Sequence, residues 1–118
     1  MLLIVILFAL AAVFGVLLLL RVLNSKKPRT FVVISHGVVA AFALVLLFFY
    51  ARNVSKDTTI NLIFFVFVAL IGFYMFYREF FTKQDDLAKS AVPKPVALLH
   101  GIAAVISFVL LIITYVSA

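Results

Sequence analysis

The chain has 118 residues, of which 68% are apolar, and ten basic side chains against four acidic ones give it a net charge of +6. Polar residues are too few to coat a water-soluble globule, which excludes an ordinary soluble domain. Cysteine is absent, which excludes disulfides, thiolate chemistry, cysteine-based metal sites and covalent c-type haem attachment.

In chain order, apolar runs at 1–20, 31–51, 60–77 and 96–116 each approach the roughly 20 residues that a helix needs to cross a hydrocarbon core about 30 Å thick. They predict four helices near 1–21, 31–51, 59–78 and 95–117. The runs are continuous and do not alternate, so they do not read as membrane strands. Lipid tolerates no unpaired backbone groups, and an all-α integral membrane bundle follows. The first run has no basic residue before it and is too long for the core of a secretory signal, so it is read as a mature helix. The whole of 1–118 is expected to form one membrane domain.

Charge placement sets the expected orientation, because basic loops are retained in the cytoplasm. The first loop carries Arg21, Lys26, Lys27 and Arg29, and the third carries Arg78, Lys83, Lys89 and Lys94; the second has only Arg52 and Lys56, with Asp57 beside them. This places loops one and three in the cytoplasm and both termini outside it, in a membrane such as the bacterial inner membrane. The basic residues sit in short juxtamembrane loops with no soluble domain behind them. That pattern suits topology and anionic lipid, and no nucleic-acid partner is expected.

The two halves, 1–56 and 57–118, read as an internal repeat. Gly15 precedes Arg21 by the same spacing with which Gly72 precedes Arg78. A basic loop containing proline follows each arginine, then a helix with His36-Gly37 in one half and His100-Gly101 in the other, each followed by an alanine at the same offset, Ala40 and Ala104. The third loop is longer, with its polar stretch at 84–91. Two helix hairpins repeated in parallel, related by an axis along the membrane normal, are therefore expected to build a four-transmembrane-helix bundle. The repeat puts Gly15, His36, Gly72 and His100 at one depth, about 9 Å inside the helix ends at 1.5 Å per residue.

Histidine inside a membrane helix is rare and points to a site facing the bundle interior. Gly37, Ala40, Gly101 and Ala104 also suit close helix packing. Two neutral imidazoles are natural axial ligands for one b-type haem, with Arg21, Lys26, Lys27, Arg29, Arg78 and Lys94 available to its propionates. The arrangement resembles the haem-bearing four-helix bundle of the cytochrome b family, in which histidines on the second and fourth helices hold haem and glycines on the first and third make room. The matching residues are Gly15, His36, Gly72 and His100. In that family each ligand helix carries a second histidine further along; here Phe49 or Tyr50, and Ile113 or Thr114, stand in those places. The resemblance implies at most one haem, with Gly37, Gly101, Arg21 and Arg78 completing the expected cofactor site.

No acidic residue lies inside any run, and two histidines fall short of a zinc site. Phosphate loops, Ser-His-Asp sets and HExxH are all missing, so an electron carrier or haem sensor is expected in preference to a substrate-converting enzyme. Two further readings stand beside it. One is a non-catalytic accessory or assembly subunit of a membrane complex, its histidines tying the two hairpins together. The other is a homodimeric small-solute transporter, although Asn61 and Ser107 are isolated polar residues and no intramembrane carboxylate exists. Glu79 reads as an interfacial charge, and the tyrosines, mostly near helix ends, as interfacial anchors.

Overall fold

A backbone in hydrocarbon can satisfy its polar groups only within its own segment or in a closed barrel, and continuous apolar runs select the first solution. The computed structural model describes residues 1–53, 56–81 and 92–117. It contains α1 (Leu2–Leu23), α2 (Thr30–Ala51), α3 (Lys56–Phe81) and α4 (Lys94–Ser117), all long and apolar enough to cross a membrane, with no strand among the described residues. The helices outrun the apolar stretches by up to four residues. Their hydrogen-bonded turns continue past the apolar boundary, so Arg21, Arg78 and Lys94 are helical although they are charged. Lys83, Lys89 and the polar stretch 84–91 lie outside the described residues.

The helices form a closed square in which α1 packs on α2 and α4, and α3 packs on α2 and α4. Hence α1 faces α3 across one diagonal and α2 faces α4 across the other. The bundle is 19 Å wide in both short directions. Its interior is a thin seam: Ile4, Phe8 and Ala11 from α1, Ala43 and Leu47 from α2, Asn61, Phe65 and Val68 from α3, and Ser107 and Leu111 from α4 are buried. On each helix these positions recur at three or four residues, one stripe of an α-helix. Phe8 and Phe65 stack across the axis with ring centroids 4.0 Å apart and planes at 12°. Outward positions are equally apolar, with Phe31 at 78% and Phe73 at 71% exposed. That is unacceptable in water and suited to acyl chains.

Polar ties close the two ends. Arg21 donates from Nε and Nη2 to the carbonyl of Lys27, at 3.1 and 2.8 Å. The intervening turn holds Ser25 at φ 58°, and Pro28, at its end, is buried. At the opposite end Asn61, only 2% exposed, donates from Nδ2 to Thr114 Oγ1 at 2.9 Å. The hydroxyl of Thr114 donates in turn to the Leu110 carbonyl at 3.0 Å. Asn61 is therefore not an isolated polar residue; it bridges α3 and α4. Glu79, near the end of α3, is likewise buried, at 8% exposed.

With lipid outside and a thin seam inside, helix association rests on shape and dispersion contacts. Leu47→Ala and Leu111→Ala, at positions with no exposure, are each expected to cost about 2 kcal/mol or more through the cavity they leave. Phe42→Ala, on a side chain 56% exposed to the acyl chains, is expected to leave stability unchanged. Unfolding of the detergent-solubilised protein by titrated SDS checks both, and a cost at Phe42 equal to that at Leu47 would contradict this assignment of inside and outside.

Candidate functional site

Each glycine of the first and third helices faces an imidazole from the next helix in the chain. A Cβ built on Gly15 would lie 3.2 Å from His36 Cε1, and one built on Gly72 would lie 3.2 Å from His100 Cε1. Four residues before each glycine is the carbonyl that receives the ring: His36 Nδ1 is 2.8 Å from Ala11 O, and His100 Nδ1 is 3.1 Å from Val68 O. A carbonyl can only accept, so in both contacts Nδ1 carries the proton and donates.

The local reason is helix geometry. The carbonyl at Ala11 already accepts the amide of Gly15 inside the helix, and that of Val68 accepts the amide of Gly72. Its second lone pair is open to a neighbour only where the side chain one turn on does not cover it. Glycine removes that cover, so glycine and the carbonyl one turn earlier form a single receptor for an imidazole. The space that each glycine leaves is taken by the histidine ring itself.

These are bonds within a hairpin, α1 to α2 and α3 to α4, and they do not tie one hairpin to the other. What joins the hairpins here is the meeting of the rings. His36 and His100 come from diagonal helices, and their centroids are 6.3 Å apart with planes at 79°. Because both Nδ1 atoms are committed, each Nε2 keeps its lone pair for another partner. The pair can offer two nitrogen donors to one metal ion; no group of three or more His, Cys, Asp or Glu that could hold a metal occurs among the described residues.

The structure thus brings Gly15, His36, Gly72 and His100 together and leaves other expected site residues apart. Gly37 is exposed, with nothing within 4 Å of its virtual Cβ, because a residue next to His36 points about 100° away around the helix. Gly101 meets Leu19 Cδ2 at 3.4 Å, a packing contact between α4 and α1. Arg21 is engaged by its own loop. Arg78 is half-buried on α3, and its Nε is buried without a hydrogen-bond partner among the described residues. Residue types alone do not disclose the carbonyls of Ala11 and Val68; the signal for them is positional, four residues before a glycine.

Gly15→Ala and Gly72→Ala require the facing ring to give by a few tenths of an ångström, and a small loss of stability is expected. Leucine at either position expels the ring and the hydrogen bond, a loss of about 0.6 to 1.7 kcal/mol for the bond alone. Nitrogen NMR of the imidazoles is expected to show Nδ1–H and bare Nε2 for both histidines, with the pattern lost at His36 in Gly15→Leu. A protonated Nε2 beside a bare Nδ1 in the unaltered protein would contradict both bonds.

Comparison of the chain with known protein families, with curated proteins and with solved structures finds no match.

Proposed function

We propose that this membrane bundle holds one b-type haem between α2 and α4, with His36 and His100 as axial ligands, and serves as an electron carrier or haem sensor. The observation that carries the reading is the placement of the two imidazoles. A metal–imidazole bond of about 2 Å, with about 1 Å more to each ring centre, puts two rings on opposite sides of one metal ion on the order of 6 Å apart. His36 and His100 stand at 6.3 Å, on helices that face each other across the bundle.

The state of the rings supports the same reading. Metal-ligating histidines almost always donate their second ring nitrogen to a carbonyl, carboxylate or water, which fixes the tautomer and raises ligand basicity. Both histidines do so here, to Ala11 and Val68. Haem bound there supplies reversible one-electron transfer. With no second pair of histidines, the chain offers ligands for one such group, near the basic end of the bundle.

The same proposal places the protein in a bacterial inner membrane with its basic end in the cytoplasm and both termini outside, and takes the chain as two copies of one hairpin. The recurrence of the glycine–imidazole contact at 3.2 Å in both hairpins favours that duplication. A second reading, an accessory subunit of a membrane complex, is favoured by one observation: the hydrogen bonds to Ala11 and Val68 make each histidine useful to helix packing alone.

Visible spectra of the protein, purified in mild detergent from cells supplied with haem precursor, separate the two. A Soret band with a sharp α band on reduction, abolished by His36→Ala and by His100→Ala, is the expected outcome. A colourless protein that haemin cannot reconstitute, with the histidine changes lowering stability only, leaves the accessory subunit.

A further inference from the structure

The seam between α2 and α3 opens toward the membrane. A groove of about 520 Å³ runs along it, lined by Leu44, Val45, Phe48 and Phe49 of α2 and by Leu62 and Val66 of α3. Leu44 and Leu62 pack against the central apolar cluster and form its floor; the other four are exposed and form its rims. The lining is wholly apolar and gives water no partner, so in hydrocarbon the groove takes an apolar chain.

Charge marks one end of this groove. Arg52 caps α2 with helical backbone, its amide bonded to the Phe48 carbonyl, so it continues the face of Phe48 and Phe49 one turn on. At about 100° per residue it is centred on the four groove residues of α2, and it stands about 12 Å along the axis from Leu44. A helical side chain leans over the turn before its own, which carries the exposed Arg52 across the groove mouth. Asp57, in the first turn of α3, lies about 140° or more around that helix from Leu62 and Val66, away from the groove. On the seam between α4 and α1 the corresponding place is apolar. Val116, as far past His100 as Arg52 is past His36, is exposed there, and Phe108 packs on the central cluster where α2 has the smaller Leu44.

We propose that the α2–α3 groove seats one phospholipid, with an acyl chain lying between the helices and the phosphate held by Arg52. Guanidinium offers paired N–H groups that match phosphate oxygens. A second copy of the chain is the poorer occupant, because a two-fold interface centred on this groove sets two Arg52 side chains against each other at the edge of a low-dielectric medium. The seat is independent of the haem reading and lies at the end of the bundle opposite the first loop.

The chain has no tryptophan, so one placed on the rim reports on this groove alone. Full-length Phe49→Trp, purified in detergent, is titrated with phosphatidylglycerol whose chains carry bromine, a quencher of tryptophan, and with diacylglycerol bearing the same chains. Phosphatidylglycerol is expected to quench at a concentration on the order of tenfold or more lower, the scale of one charge-assisted hydrogen bond. Adding Arg52→Gln removes that preference by weakening phosphatidylglycerol alone, and Arg52→Lys keeps part of it. Ile113→Trp, at the corresponding place on the other seam, shows no preference. Circular dichroism confirms that each variant is folded; should Arg52→Gln fail there, an undiminished preference in Arg52→Lys overturns the assignment.

Equal quenching by the two lipids, a preference untouched by Arg52→Gln, or the same preference at Ile113→Trp also overturns it. Light scattering that shows two chains per micelle, with the Phe49→Trp reporter shielded from both lipids, gives the groove to a second copy and overturns it equally.

Discussion

An imidazole seated against a glycine, its Nδ1–H donated to the carbonyl one turn earlier, is the contact on which this bundle depends. In lipid, helices gain nothing from hiding apolar surface from one another, because acyl chains are as good a solvent as leucine. Close backbone approach and hydrogen bonds between helices must supply the specificity. The glycine–carbonyl receptor supplies both at one point. It fixes the register of α2 against α1 through His36 and Ala11, and that of α4 against α3 through His100 and Val68. Sliding either pair by one residue would carry the ring off its glycine and leave a buried donor unmade.

Topology then turns two local contacts into one central pair. In an up-down-up-down square the second helix of each hairpin lies on the same diagonal and runs in the same direction. Residues equally far into those helices meet at one depth across the axis. His36 and His100 each follow the first residue of their helix by six positions, and their rings converge to 6.3 Å. No further sequence feature is needed to aim them. Beyond this layer the stacked Phe8 and Phe65, with Leu47 and Leu111, seal the seam with apolar carbon.

Much of this is visible in the sequence, because the membrane imposes its own length scale. Four apolar runs separated by charged loops admit one solution, and the shared spacing of Gly15 and Arg21 with Gly72 and Arg78 puts the four central residues in one layer. Other features are not visible, for physical reasons. Backbone carbonyls carry no sequence signature, so the acceptors at Ala11 and Val68 emerge only from geometry. The outward turn of Gly37 follows from helical phase, which the adjacency of His36 and Gly37 disguises. Asn61 reads as isolated along the chain because its partner, Thr114, lies on another helix. The ends of helices outrun the apolar runs because hydrogen-bonded turns need no lipid around them.

Among the described residues, the hairpins differ most where they are tied a second time. In the first, the extra tie is the Arg21 clasp at the basic end. The positions that correspond to Asn61 and Thr114 are Ile4 and Tyr50, and Ile4 packs in the apolar cluster. In the second, the extra tie is Asn61 to Thr114 at the far end, and buried Thr58 and Ser107 stand where the first hairpin has Met1 and Ala43. Burying these polar groups costs free energy unless each is bonded. Ser107 meets that condition by donating to the Ala103 carbonyl at 2.7 Å, and Asn61 by bridging the helices.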